Sequence, residues 1–243
     1  MKKHTTKFIF LLAVALVVVS CDSNKSHVIK QAVTDVEGNT YDAVKIGGQI
    51  WMAGNLAVTH LNDGTDISQK SREKPPYGYY YEHTILKEDS LRTRLCPKGW
   101  HVPSKAEWET LVSNVESNKK MMEISGNAAV ALSVYPALNS SITDEKYNTS
   151  HFSAMPTGYW LSTYSYAPTH FDVVMRQLNR RCYFWTSTIN EGNGDPFVFY
   201  LEPALGNIQF ETSELSSPNV EVPTPSTGGC YSSLPVRCIK DEK

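Results

Sequence analysis

The sequence predicts an α+β domain. Three observations predict it: a β-meander over residues 33–56, an amphipathic helix entered at Ser104, and a return to short alternating strands from Cys182 onward.

The meander opens on Asp35-Val36-Glu37-Gly38-Asn39, residues that favour a turn because Asx side chains bond their own backbone and Gly tolerates positive φ. Asp35, Glu37 and Asn39 are spaced like cation ligands. An EF-type loop needs about twelve residues ending in a bidentate Glu, which is absent, so a plain turn is the reading. Thr40 to Ile46 then alternates as a strand, with Val44 and Ile46 on one face. Gly47-Gly48 is a two-residue hairpin loop. Gln49 to Met52 returns, with Ile50 and Met52 on one face and Trp51 on the other.

Residues 61–76 are polar and read as a surface loop. Tyr77-Gly78-Tyr79-Tyr80-Tyr81 begins a strand, and Ile85 to Arg94 is a loop or short helix. The clearest local signal is Pro103-Ser104-Lys105-Ala106-Glu107. Ser104 is an N-cap, and Glu107 three residues on completes a capping box that satisfies two backbone N–H groups. Trp108, Leu111, Val112 and Val115 follow at helical spacing, giving one apolar face. Glu107 and Glu109 therefore read as a capping and a solvated carboxylate, not an acid/base pair.

Weaker helices are expected at Lys119–Ile124 and Asn127–Val134. Tyr135 to Pro168 is rich in Ser, Thr, Asn and aromatics without sustained period, an excursion of a length that tends to carry function. Cys182 to Thr188 alternates as a strand, and Asn190 to Asp195 reads as a turn rather than a cation loop. Phe197–Leu201 and Asn207–Phe210 are strands around a Gly206 turn. Ser213 to Gly229 is a Pro/Ser/Thr-rich loop, and Val236 to Ile239 is the terminal strand.

The N-terminus has the parts of an export signal: Lys2, Lys3 and Lys7, then twelve apolar residues from Phe8 to Val19, then Ser20-Cys21. Twelve residues rise only about 18 Å as a helix, against a ~30 Å hydrocarbon core. The expectation is a lipoprotein signal peptide over 1–20, lipidation at Cys21, a flexible tether over 21–32 and one domain over 33–243. A single acyl chain holds marginally, and bacterial lipoproteins carry several, so a stable lipid anchor at the cell envelope, in the outer membrane, is expected. Losing residues 1–20 removes three of 23 basic residues and none of 25 acidic ones, leaving −5. That balance argues against nucleic acid and against a basic membrane-binding face. Thirteen Tyr and five Trp suit a loop-rich extracellular domain.

After Cys21 come Cys96, Cys182, Cys230 and Cys238. An even count in an exported chain reads as two disulfides, with three possible pairings. No CxxC occurs, which speaks against a zinc ribbon or thioredoxin-type site.

Several blocks together carry a resemblance. They are Asp35-x-Glu37-Gly38-Asn39-x-Tyr41, Ile46-Gly47-x-Gln49-x-Trp51-Met52-x-x-Asn55-Leu56, and Tyr77-Gly78. Then come Cys96-Pro97-x-Gly99-Trp100-His101-Val102-Pro103-Ser104-x-x-Glu107-Trp108-x-x-Leu111 and Phe152-Ser153-Ala154-x-Pro156-x-Gly158-Tyr159. Phe184-Trp185-x-Ser187-Thr188 and Val236-Arg237-Cys238-Ile239-Lys240-Asp241 close the series. In this order, over residues 33–241, they resemble the Fibrobacter succinogenes major paralogous domain. That resemblance implies a C-type lectin-like fold: a small twisted antiparallel sheet in which the chain ends meet, one or two helices and long irregular loops. It also implies nested disulfides, Cys96 with Cys238 and Cys182 with Cys230. The chain departs from the family at His151, where a Gly often precedes the Phe. The calcium and sugar motifs of animal lectins are missing, and Glu202-Pro203-Ala204 only half resembles one of them, so calcium-dependent sugar binding is not implied.

No Gly-x-Ser-x-Gly, P-loop or His-Glu-x-x-His occurs. No histidine has a His, Cys or carboxylate at ligand spacing, and His101 reads as structural. No metal and no cofactor is expected. Tyr159, Trp160, Tyr164 and Tyr166 are the candidate ligand-binding residues, because aromatic faces stack on sugar rings and anchor interfaces. The expected function is a non-catalytic recognition module for a glycan or protein partner. A structural or adhesive subunit of a surface assembly is the first alternative. An enzyme of the sulfatase-modifying type is the second; that class shares the broad fold, and its helix start is similar to Val102–Glu109.

Overall fold

The computed structural model describes residues 27–73, 75, 77–134, 144–164, 171–212 and 230–242. The expected signal peptide, Cys21 and Tyr166 lie outside them.

The meander forms as β1 (His27–Thr34), β2 (Thr40–Ile46) and β3 (Gln49–Met52). β1 begins inside the expected tether, because residues 27–32 belong to the sheet. His27, Val28 and Ile29 pair with Lys45, Val44 and Ala43, and Ile29 and Ala32 pack on the core. A bulge follows at Gln31, which has φ +46 and whose N–H donates to Asp42. The Asp35 turn is plain. Its carboxylate accepts from the N–H groups of Glu37 and Asn39, from the Asn39 amide and from the Tyr41 hydroxyl. Four donors saturate it.

Inside the expected 61–76 loop, β4 (Ser71–Glu73) pairs with β5 (Tyr79–Glu82). Short helices α1 (His83–Lys87) and α2 (Asp89–Arg92) lead to β6 (Trp100–His101). Helix α3 (Lys105–Glu116) has the capping box complete at Ser104 and buries Trp108, Leu111 and Val115. Helices α4 (Lys119–Ser125) and α5 (Ala128–Leu132) are each capped by an Asn side chain, from Asn118 and Asn127. The remaining strands are β7 (Tyr159–Tyr164), β8 (Phe171–Arg176), β9 (Cys182–Ile189), β10 (Pro196–Glu202), β11 (Asn207–Thr212), β12 (Cys230–Leu234) and β13 (Ile239–Lys240). The terminal strand is shorter than expected. Before it, the Val236 and Cys238 carbonyls accept from Leu56 and Met52 without continuing the ladder.

Three antiparallel sheets result, with few helices, which makes the domain α+β. Their orders are β1-β2-β3-β13-β6, β4-β5-β12-β7-β8 and β11-β10-β9. β1 and β13, from opposite ends of the described chain, lie in one sheet. The core has two parts, and strand alternation assigns residues to each. Tyr183, Trp185, Val198 and Tyr200 join Tyr81 and Leu234 in the first. Cys182, Phe184, Phe199 and Leu201 join Trp51 and Trp108 in the second. Trp108 stacks on Phe199 with centroids 4.3 Å apart.

The loop before β7 holds His151 in a strained conformation. His151 has φ +59 and is exposed, a conformation that suits glycine. His151→Gly is expected to raise stability by about 0.5–1 kcal/mol, read as a higher urea midpoint at unchanged slope. An unchanged midpoint would mean that the imidazole's own contacts outweigh the strain. Gly158 is required for a different reason. It has φ +61, and a Cβ there would sit 2.1 Å from the Arg176 carbonyl oxygen.

Candidate functional site

The blocks that carry the resemblance meet at Arg237, which is fully buried. Its guanidinium donates to Asn55 Oδ1 at 2.6 and 3.2 Å, to the Phe152 carbonyl, to the Ser153 carbonyl at 3.3 Å and to the Met52 carbonyl at 3.4 Å. The Phe152 and Phe184 rings lie over it at 4.7 and 5.3 Å. Burial lowers its pKa to about 9, so it stays ionised at neutral pH. Among the described residues no carboxylate pairs with it. The residue joins strand ends and a loop, and all of its contacts are structural.

One residue on, Cys238 is bonded to Cys96. The expected inner bridge is not made. Cys182 carries a free, buried thiol in the second core, 3.7 Å from the Ser133 hydroxyl. It starts β9 in the three-stranded sheet, whereas the Cys230 backbone lies in β12, opposite Thr163 of a different sheet. Burial pushes the Cys182 thiol up to about 12, so it is unreactive at neutral pH.

His101 is paired, contrary to the expectation from spacing. Its Nε2 lies 2.8 Å from Glu107 Oε1 and its Nδ1 2.7 Å from Asp241 Oδ1. Glu107 is six residues away and Asp241 is 140, so no local pattern reveals the cluster. Ser104 supplies a hydroxyl, which makes the group look like a nucleophile triad. The geometry is wrong for one. The Ser104 hydroxyl donates to Glu107 at 2.7 Å, not to the imidazole, and both ring nitrogens face carboxylates. The Glu107 hydrogen bond, against the opposing effect of burial, raises the His101 pKa to about 9. A protonated ring is no base at neutral pH.

The cluster instead sets a pH dependence. Unfolded histidine titrates near 6.5, so the stability from His101 is fully present below about pH 6.5 and lost as pH rises through about 9. Glu107 is lowered, because hydrogen bonds from His101 and Ser104 outweigh its burial. Its contribution is present above its unfolded value and lost as pH falls below it. His101→Gln is expected to flatten the alkaline loss by about 1 kcal/mol after allowance for solvent screening. Thermal midpoints from pH 6 to 10 check this, and parallel curves for the two proteins would refute it.

The four predicted aromatics divide. Tyr159 is a core residue, 5.2 Å from Tyr183 edge to face, because its face of β7 turns inward. Trp160, the next residue, takes the opposite face and is half-buried. Tyr164 pairs with Phe171 at the strand end; its side chain, like all of Tyr166, lies outside the described residues. Period 2 within β7 separates Tyr159 from Trp160, but only the tertiary structure says which face is the core.

Directly opposed residues in antiparallel strands share a face. Glu82 on β5 opposes Ser233 on β12, Ser233 opposes Trp160 on β7, and Trp160 opposes Met175 on β8. These four form one row across the sheet, on the side away from Tyr81, Leu234 and Leu161. Two residues back along β5, Tyr80 opposes Arg72 on that same side. Among the described residues the buried Ser233 hydroxyl has no hydrogen-bond partner. Arg72 Nε on β4, Thr84 Oγ1 just after β5 and Gln177 Oε1 just after β8 share that condition. Each costs about 1–3 kcal/mol if left unsatisfied. Nothing of this kind exists at Asp35 or at Glu202. Glu202, the half-match to a lectin calcium motif, is bonded by Arg181 at 2.9 and 3.0 Å. Among the described residues no three His, Cys, Asp or Glu side chains gather as a metal site.

The model of the Fibrobacter succinogenes major domain family matches residues 44–240. The chain belongs to this family. No curated protein and no solved structure matches it. The Fibrobacter succinogenes major domain match ends on β13 and spans both Arg237 and Trp160.

Proposed function

We propose that this protein is a lipid-anchored, non-catalytic recognition module of the cell envelope, held at the outer membrane through Cys21. Its frame is C-type lectin-like, and it binds a glycan or protein partner on the side of the β4–β8 sheet that carries Trp160. The observation that carries this reading is Trp160, a large aromatic residue left half-buried on the side of that sheet away from the core residues Tyr81, Leu234 and Leu161. The lectin-like frame is supported by β1 and β13 sharing a sheet. A sulfatase-modifying enzyme needs reactive thiols. Among the described side chains, Cys96 and Cys238 are bridged and Cys182 is buried, which counts against that alternative.

The test compares wild-type and Trp160→Ala mature protein on a glycan array and against purified surface proteins. At least one ligand is expected to lose about tenfold in affinity on the substitution. Identical ligand sets for the two proteins would place recognition elsewhere or nowhere. Mass spectrometry of the mature N-terminus tests the anchor, and anything but a diacylglyceryl cysteine at position 21 overturns it.

A further inference from the structure

We infer that the end of the domain formed by the start of β1, the Gly47-Gly48 hairpin and the β10–β11 turn rests on the lipid surface, with Leu205 and Ile124 as its apolar contacts. This deepens the reading of Cys21 as the lipid anchor and rests on it. Chain length decides which end faces the bilayer. Cys21 is six residues from His27, where β1 starts. A chain spans at most about 3.6 Å per residue, so His27 lies within about 22 Å of the anchored cysteine whatever path the intervening residues take. A domain of this size has a radius of gyration near 17 Å and is roughly 40 Å across. A link about half that length does not let the domain turn over. The far end of β1, at Thr34, lies about 20 Å farther along the strand.

Helix α3 shows what else lies at the His27 end. Lys105, its first residue, stands over Phe197 and Phe210, and Trp108 one turn on stacks on Phe199. β10 therefore runs alongside α3 in the same direction, and the turn after β10 comes level with the C-terminal part of the helix. The Gly47-Gly48 hairpin reaches that same part of α3, because a Cβ on Gly47 would overlap the Asn114 side chain. Lys45, two residues before Gly47, opposes His27.

Among the described residues the exposed large apolar side chains are Val36, Ile124 and Leu205. Two of them flank one contact. A Cβ on Gly206 would meet the Asn127 side chain at 3.1 Å; Leu205, 66% exposed, precedes Gly206, and Ile124 comes three residues before Asn127. Val36 instead lies beyond the far end of β1. Apolar side chains held in water gain free energy on entering the headgroup and acyl boundary. Charge does not drive the contact, because the exposed Lys45, Lys119 and Lys120 stand among the exposed Glu116 and Glu123. Two apolar side chains would not hold a free protein on a bilayer. A link this short gives an effective concentration in the millimolar range, at which a weak contact is occupied.

Lipidated mature protein in phosphatidylcholine vesicles tests the inference. Flotation establishes first that the protein is anchored. Leu205→Trp and, as the far-end control, Val36→Trp then report bilayer contact through lipids with brominated acyl chains. Both positions are exposed, and near-UV circular dichroism checks that each variant is folded. The brominated lipid is expected to quench the emission added by Leu205→Trp about twofold, and to leave Val36→Trp at the level of the parent. The quenching should hold from about 0.05 to 0.5 M NaCl, because salt screens charges and not apolar contacts. Inserting about thirty Gly and Ser residues before His27 should remove most of it, because a long coil lowers the effective concentration. Hydrogen exchange reads the same contact without a tryptophan substitution. Amides of residues 204–206 should exchange at least about threefold more slowly with the native link than with the long one, and those of 36–38 equally in both.

Flotation with neither quenching at position 205 nor slowed exchange there would overturn the inference and leave the anchor standing. Equal quenching at positions 36 and 205 would overturn the assigned end, and quenching lost at high salt would overturn the apolar contact. A mature protein that does not float takes both the anchor and this inference with it.

Discussion

Arg237→Ala is expected to destabilise the domain by about 4 kcal/mol or more, the largest effect of any single substitution considered. The side chain is fully buried and reaches Asn55, Met52, Phe152 and Ser153 at once. Removing it strands buried carbonyls, each worth about 1–3 kcal/mol, and opens a cavity between the Phe152 and Phe184 rings. A whole domain is stable by only about 5–15 kcal/mol, so the change takes a large share of the total. At about 2–4 °C per kcal/mol for a chain of this size, the midpoint should fall by roughly 8–16 °C. Arg237→Met separates the causes. It restores most of the volume but no donor, so it should recover only the cavity part. Arg237→Lys keeps the charge but has no planar fork, and it should recover little. Urea titrations followed by tryptophan fluorescence report all three. A methionine variant as stable as the parent would mean that the hydrogen bonds contribute nothing.

The second large effect is expected on opening the Cys96–Cys238 bridge. It closes a loop with a sequence separation of 142. The chain-entropy relation puts such a loop near 5 kcal/mol, and measured bridges typically give about 2–4. The double variant Cys96→Ala/Cys238→Ala should therefore lose about 3–5 kcal/mol. The parent should show a similar fall in midpoint when a reductant is added. The reductant should leave the double variant unmoved, because Cys182 is a thiol already. Equal midpoints with and without reductant for the parent would sink this account of the bridge. The same two substitutions also loosen the clasp between β6 and β13, where Trp100 pairs with Lys240 and His101 with Ile239.

Much of the fold is written in short windows. The Ser104 capping box, the Gly47-Gly48 hairpin, the Asp35 turn and the alternation of β9 and β10 rest on contacts a few residues apart. Turns, caps and periodicity are local physics, and they read correctly. β7 is different. Its residues are those of an irregular excursion, and it is a strand because β12 and β8 flank it and take its hydrogen bonds. Residues 27–32 likewise look like a leash and become sheet because β2 lies beside them.

By itself, the chain's sequence determined an α+β domain, its family, the starts of α3, α4 and α5 and the Gly47-Gly48 hairpin. The tertiary structure alone decided that Tyr159 is core and Trp160 is not. It also decided that Cys182 stays a thiol, that His101 is held by Asp241, and that Arg237 gathers four segments. The physical reason is distance along the chain. A side chain's partner across 140 residues, and the face of a strand that meets the core, depend on which elements pack together. Local propensity carries no record of that.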